Sequence, residues 1–245
     1  MFCAVPIAEA LNVQRLEPAE VATLQAIMAA LDPLVTQRKQ AGTAALLTWE
    51  ELYAPLAQDQ RAFLDAFRKL RGSDLGATSH YYGESTGGAE IVPVGPQTYD
   101  KQGTPTTIDL QYLPAPVLAA YRTMMERMRA DLGGELLVES GYRSPAYQAY
   151  LFLFYLPKHD LSITETNRHV ALPGHSEHGN PARQAIDFMN QHGINGEDHP
   201  EEFEVLPEFA WLQQHARTFG FFLSYPRDNP DHTAYEPWHW HYEPQ

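Results

Sequence analysis

Near the end of this 245-residue chain, Glu236-Pro237-Trp238-His239 sets an acid three residues ahead of an imidazole, between large aromatics. That pairing points to metal chemistry. Two earlier segments supply what it lacks: Pro173-Gly174-His175-Ser176-Glu177-His178 running on to Asp187, and Ser140-Gly141-Tyr142-Arg143-Ser144 with Gln148 behind it. Eight of the eleven histidines lie after residue 170, so candidate ligands concentrate there, although late loops that are simply rich in histidine would give the same count. A catalytic zinc takes about three protein ligands and keeps one position open for water, with neutral imidazoles and a carboxylate as ordinary donors. His178, Asp187 and His239 meet that requirement.

Glu236 is the candidate acid-base group, close to His239 without having to be a ligand. A carboxylate there can take a proton from water and return it to a departing amine. Residues three apart on a regular strand face opposite ways, so this role requires Pro237 to break the alternation. The competing reading is a solvated loop charge. Arg143 follows Gly141 and Tyr142 at a strand-to-helix turn, where a guanidinium can aim at an oxygen becoming anionic or grip a carboxylate. Gln148, one turn into the following helix, is placed to hydrogen-bond a peptide. Either side chain also fits a surface polar position.

The elements that must position these residues are helices mixed with short strands. Val21, Leu24, Ile27 or Met28, Leu31 and Val35 recur at the spacing of one helical face between Glu17 and Gln40, with Pro33 inside it. Thr48-Trp49-Glu50-Glu51 has the capping-box pattern, and Phe63, Leu64, Phe67 and Leu70 continue helically to Gly72. From Gly72 to Pro105 the chain is rich in Gly, Pro, Ser and Thr, which reads as irregular loop with a short strand at residues 91–94. A helix follows from Pro116, carrying Val117, Tyr121, Met124, Met128 and Leu132 and ended by Gly133. Strands are expected at 135–140, 184–189, 221–225 and 238–242, and helices at 145–154 and 207–219. The pattern gives an α+β fold with a small, largely antiparallel sheet flanked by helices. It divides into a mostly helical N-terminal extension and loop, 1–105, and a catalytic domain, 106–245.

This length fits one large domain, or a domain of about 130 to 150 residues with an extension. A formal charge of −14 and a pI near 5.1 exclude nucleic-acid or anionic-membrane binding by charge, since both need a basic face. The single cysteine, Cys3, rules out an internal disulfide and a cysteine-rich zinc knuckle. No run is expected to reach a membrane span, and residues 1–11 lack a basic start and a long apolar stretch. The chain therefore reads as soluble, with Cys3 either a free thiol or the remnant of a trimmed lipoprotein start.

The three segments, with Ala185-Ile186-Asp187, Trp211-Leu212, Gly220-Phe221 and Ser224-Tyr225-Pro226 between them, closely resemble the D-alanyl-D-alanine carboxypeptidases of the VanY type over residues 108–242. The resemblance implies the hedgehog-like zinc peptidase fold and zinc held by His178, Asp187 and His239. It implies Glu236 as catalytic base, Arg143 as oxyanion stabiliser, and Ser176, Gln148 and Tyr142 as substrate contacts. The substrate it implies is a peptidoglycan stem peptide or its precursor, with work at the cell envelope or, where precursors or recycled peptides are the substrate, in the cytoplasm. The same site also suits an LD-carboxypeptidase, a D-Ala-D-Ala dipeptidase or an L-alanyl-D-glutamate endopeptidase, and related folds serve as binding modules without catalysis. Two features depart from the family pattern. His178 and Asp187 are nine residues apart rather than seven, and His241 stands where the family usually has arginine, two residues after the last ligand. His241 and His175 are accordingly alternative ligands.

Overall fold

The periodic segments fold as expected. The computed structural model describes residues 10–84, 89–196, 199–229 and 234–244; Cys3, and with it the lipoprotein reading, lies outside them. The helices and strands are, in chain order, α1 (Pro18–Gln40), α2 (Trp49–Tyr53), α3 (Gln58–Arg68), β1 (Ile91–Pro93), β2 (Gln97–Lys101), β3 (Thr104–Ile108), β4 (Tyr112–Pro114), α4 (Ala115–Leu132), β5 (Leu136–Ser140), α5 (Pro145–Tyr155), α6 (Ile163–Thr166), β6 (Ala185–Asn190), α7 (Pro200–Glu204), α8 (Pro207–His215), β7 (Phe221–Leu223) and β8 (His239–Tyr242). The chain splits into two compact units, 1–83 with 144–176, and 84–143 with 177–245. This division differs from a single border near residue 105, because α5 and α6 share the core of the N-terminal helices.

In the first unit, Leu24, Ile27, Leu31 and Val35 form the buried stripe of α1 and join Phe63, Leu64 and Phe67 of α3, Phe152 and Leu153 of α5, and Ile163. Phe67 and Phe152 meet ring to ring at 5.0 Å. The Thr48 capping box is formed: its N–H donates to the Glu51 carboxylate at 2.9 Å, and the Glu51 N–H donates to Thr48 Oγ1 at 3.3 Å. One correction concerns α1, which is long and apolar enough by length and composition to cross a membrane. Its buried residues, Leu24, Ile27, Leu31 and Val35, pack in the core of this unit.

The second unit is built on a four-stranded antiparallel sheet in the order β5-β6-β8-β7. One face is apolar: Val138, Ile186, Phe188, Phe221 and Trp240 bury against Val117, Tyr121, Met124 and Met128 of α4 and Phe209 and Leu212 of α8. Full burial of a side chain such as Phe188 contributes about 1.5–3 kcal/mol. Leu132, expected in the α4 stripe, is instead exposed at 42% beside the Gly133 cap. Strand alternation then puts Asp187, His239 and His241 on the other face.

The stretch expected as loop up to Pro105 contains a hairpin, β2 paired with β3 in register from Gln97↔Ile108 to Lys101↔Thr104. Gln102 and Gly103 both take positive φ, 53° and 84°, the two-residue turn whose twist suits a hairpin. Its strands are mostly exposed, so no apolar alternation marked them. Strand β4, also unexpected, pairs with β1.

Strand β4 also shapes the chain leaving the sheet. A register shift between Val138 and Ser140 ends β5 irregularly, and the next residues run against the β4 backbone. Tyr142 N–H donates to Tyr112 O at 2.7 Å, and Gly141 N–H donates to Gln111 Oε1 at 3.1 Å. A Cβ on Gly141 would stand 2.3 Å from Tyr112 O, which is why glycine is required. Gly141→Ala is therefore expected to cost about 1–3 kcal/mol, the usual scale of overpacking. A denaturant midpoint equal to wild type would show that β4 yields instead.

Candidate metal centre

Every side chain of the centre belongs to the second unit. Asp187 sits in β6 directly opposite His239 of β8, and His178 comes from the short 3-10 turn Glu177–Gly179 just ahead of β6. His178 Nε2 lies 3.0 Å from Asp187 Oδ2, and His239 Nδ1 lies 2.8 Å from Asp187 Oδ1. The imidazole planes stand at 87° with centroids 5.0 Å apart. One donor atom from each of the three lies within 4.8 Å of the others, a separation that one metal ion bridges.

The outer hydrogen bonds decide which nitrogen each ring presents. His178 Nδ1 is 2.8 Å from the carbonyl oxygen of Gly141, which can only accept, so Nδ1 carries the proton and Nε2 faces Asp187 with its lone pair. Arg143 N–H donates to His178 O at 3.0 Å, so the turn after β5 and the 3-10 turn hold each other in place. His239 Nε2 lies 3.1 Å from Glu177 Oε2 and donates to it, leaving Nδ1 for the centre. A carboxylate or carbonyl behind each ligating imidazole is the usual support of a metal site.

The charges agree with that assignment. Burial, followed by the Arg143 charge, lowers the His178 pKa and keeps the ring neutral. Burial works against the Asp187 carboxylate, but the two imidazoles hold it well below the usual range. For His239, burial also opposes charge, yet Asp187, Glu177 and Glu236 push it up to about 10. Three carboxylates around the His239 ring favour positive charge at the centre, and the donor set of two imidazoles and a carboxylate suits zinc.

Glu236 reaches the centre because the strand has not yet begun. Pro237 and Trp238 form a turn closed by a 3.2 Å bond from His239 N–H to Glu236 O. Glu236 Oε2 lies 3.5 Å from His239 Nδ1, with the side chain 28% exposed. The alternation that would have separated the pair is broken where Pro237 was expected to break it. Arg143 Nε is buried and has no hydrogen-bond partner among the described residues. Tyr142, expected at the substrate, has its ring buried, and burial pushes its phenol up to about 12. Ser176 and Gln148 belong to the first unit, where both are buried and Gln148 Nε2 donates to Ala171 O at 2.8 Å.

The alternative ligands are occupied elsewhere. His175 belongs to the first unit, with Nδ1 3.3 Å from Ser79 Oγ. His241 shares a strand face with His239, but its Nδ1 lies 2.7 Å from Ser224 Oγ and its Nε2 3.3 Å from Glu243 Oε1. Burial, with the charges of Arg183 and His239 added, pulls His241 down to about 4. Sequence reasoning assigned no role to Glu177, Arg183 or Ser224. The only signal was a carboxylate adjoining a candidate ligand.

The VanY family model of D-alanyl-D-alanine carboxypeptidases matches residues 110–245. The provisionally named carboxypeptidase YodJ of Bacillus subtilis (strain 168) is 31% identical over 140 residues, 55% of this chain and 48% of that protein. A D-alanyl-D-alanine carboxypeptidase of Enterococcus faecium is 30% identical over 109 residues, 43% of this chain and 29% of that protein. The chain thus spans about half, or less, of the length of these curated relatives. Among solved structures, the LdcB LD-carboxypeptidase, described with its peptidoglycan recognition, is similar at a TM-score of 0.50 and 26% identity, over 65% of this chain and 71% of that one.

Proposed function

The chain belongs to the VanY family of D-alanyl-D-alanine carboxypeptidases, and on that premise we propose that it is a zinc carboxypeptidase that removes the terminal D-alanine from peptidoglycan stem peptides. The observation that carries this reading is the convergence of His178, Asp187 and His239, with the Glu236 carboxylate beside them. Those three residues would hold the zinc, which when bound supplies Lewis acidity toward the scissile carbonyl and makes water easier to deprotonate.

This chain's own groups do the rest. Glu236 Oε2 takes the proton from the attacking water and returns it to the departing amine, which requires one carboxylate to serve first as base and then as acid. Arg143, whose buried Nε has no hydrogen-bond partner among the described residues, donates to the carbonyl oxygen as negative charge grows there. Glu177 keeps His239 in the tautomer that binds. The substrate class puts the enzyme's work at the cell envelope.

One observation favours a second reading of the same centre: the likeness to the LdcB LD-carboxypeptidase, which moves the cleaved bond to the end of a tetrapeptide. Mass spectrometry of muramyl penta- and tetrapeptides incubated with the zinc-loaded protein separates the two. Loss of one alanine from the pentapeptide, abolished by a chelator, is the expected result. A trimmed tetrapeptide beside an intact pentapeptide selects the LD-carboxypeptidase. Loss of a dipeptide, or cleavage between L-Ala and D-Glu, keeps the centre and reassigns the bond. Two peptides left whole would overturn the hydrolase reading and leave a binding module.

A further inference from the structure

Arg183 stands in the stretch that lengthens the interval between His178 and Asp187. That stretch folds as a tight turn. Asn180 N–H donates to Glu177 O at 3.2 Å, and Arg183 N–H donates to Asn180 O at 3.0 Å. The Asn180 side chain accepts from Ala182 N–H at 3.1 Å, the local bond that suits Asn to such turns. The turn brings the chain back over Glu177, and Arg183 Nε donates to Glu177 Oε1 at 2.7 Å. The same guanidinium pairs with Glu243, and its Nη2 lies 3.4 Å from His241 Nδ1.

Glu177 divides its two oxygens between two tasks. Oε1 takes the guanidinium, while Oε2 accepts from His239 Nε2 at 3.1 Å and from Ser224 Oγ at 2.6 Å. At 2% exposure this carboxylate is buried, and a buried charge is tolerated only when well paired and hydrogen-bonded. The path from Arg183 through Glu177 is therefore continuous to His239 Nε2, the ring nitrogen opposite the one that faces the metal centre.

Resting on the zinc reading above, we propose that Arg183 is a positioning residue for the metal, fixing Glu177 so that His239 stays anchored with Nδ1 aimed at the centre. The longer turn and the histidine at 241 are then two ends of one contact. The guanidinium of Arg183 lies against the His241 ring, so the cation that the resemblance places on β8 arrives instead from the turn.

The test uses the full zinc-loaded chain as wild type, Arg183→Ala, Arg183→Lys, Glu177→Gln and the Arg183→Ala/Glu177→Gln double variant. It reads zinc release to excess chromogenic chelator, together with kcat and KM on the stem peptide that wild type cleaves. Arg183→Ala is expected to release zinc about 10- to 100-fold faster, the scale of outer-shell changes, with kcat falling and KM nearly unchanged. Arg183→Lys recovers part of the loss, since it keeps the charge but not the planar donor. The double variant is no faster than the faster single variant, because both act through one contact. Wild-type release from folded Arg183→Ala, or effects that multiply in the double variant, would overturn the assignment. Should Arg183→Ala not fold, Arg183→Gln decides in its place, with faster release supporting the role and wild-type release overturning it. Wild-type protein that holds no zinc would overturn the metal centre and this role together. That result is distinct from zinc-loaded wild type with an indifferent Arg183.

Discussion

Replacing Glu236 with glutamine is expected to lower kcat by about 100- to 10,000-fold, the range that a positioned acid-base group supplies, while zinc content stays at the wild-type level. The geometry separates the two readouts. Glu236 lies outside the trio whose donor atoms converge, yet its Oε2 is 3.5 Å from His239 Nδ1, the nitrogen beside Asp187. Glutamine keeps the shape of the side chain and a hydrogen-bonding oxygen but cannot accept a proton at neutral pH. Metal analysis beside steady-state kinetics makes the distinction. Full turnover in Glu236→Gln would remove the acid-base role, and loss of zinc would make Glu236 a ligand.

How much of this was readable in the sequence depended on the range of the force concerned. Where apolar residues repeat at 3.6 or 2, as in α4 or in β6 and β8, the period itself records which face is buried, and those elements lie within a residue or two of their expected ends. The spacing around Pro237 was legible for a similar reason, because proline limits the backbone locally. The β2–β3 hairpin was not, since its Thr-rich strands lie largely in solvent and the Gln102-Gly103 turn lacks the usual Asn or Asp signal. Nor was the grouping of α5 and α6 with the N-terminal helices, which rests on long-range packing such as Phe67 on Phe152. The support behind His239 was hidden in the same way. Glu177, Arg183 and Ser224 span 47 residues end to end in sequence and meet only through the turn at Asn180 and the pairing of β7 with β8.

The second large effect concerns the ligands themselves, and it distinguishes His178 from His241. At a free zinc concentration of about 100 times its Kd, a metal that binds only the folded protein stabilises it by about 2.7 kcal/mol. Wild type should show this as a rise in melting temperature on adding zinc after chelation. His178→Ala is expected to lose the rise and all measurable turnover, because removing a ligand must cost more than the roughly 10- to 100-fold of an outer-shell change. His178 is 1% exposed, its tautomer is set by Gly141, and its Nε2 points at Asp187 3.0 Å away. His241→Ala should keep the zinc-dependent rise, since that ring faces Ser224 and Glu243 rather than the trio. The reverse pattern, with zinc stabilising His178→Ala and not His241→Ala, would take the third ligand from the turn before β6 to β8, two residues beyond His239. It would then make the Arg183 contact with His241 part of the metal shell itself.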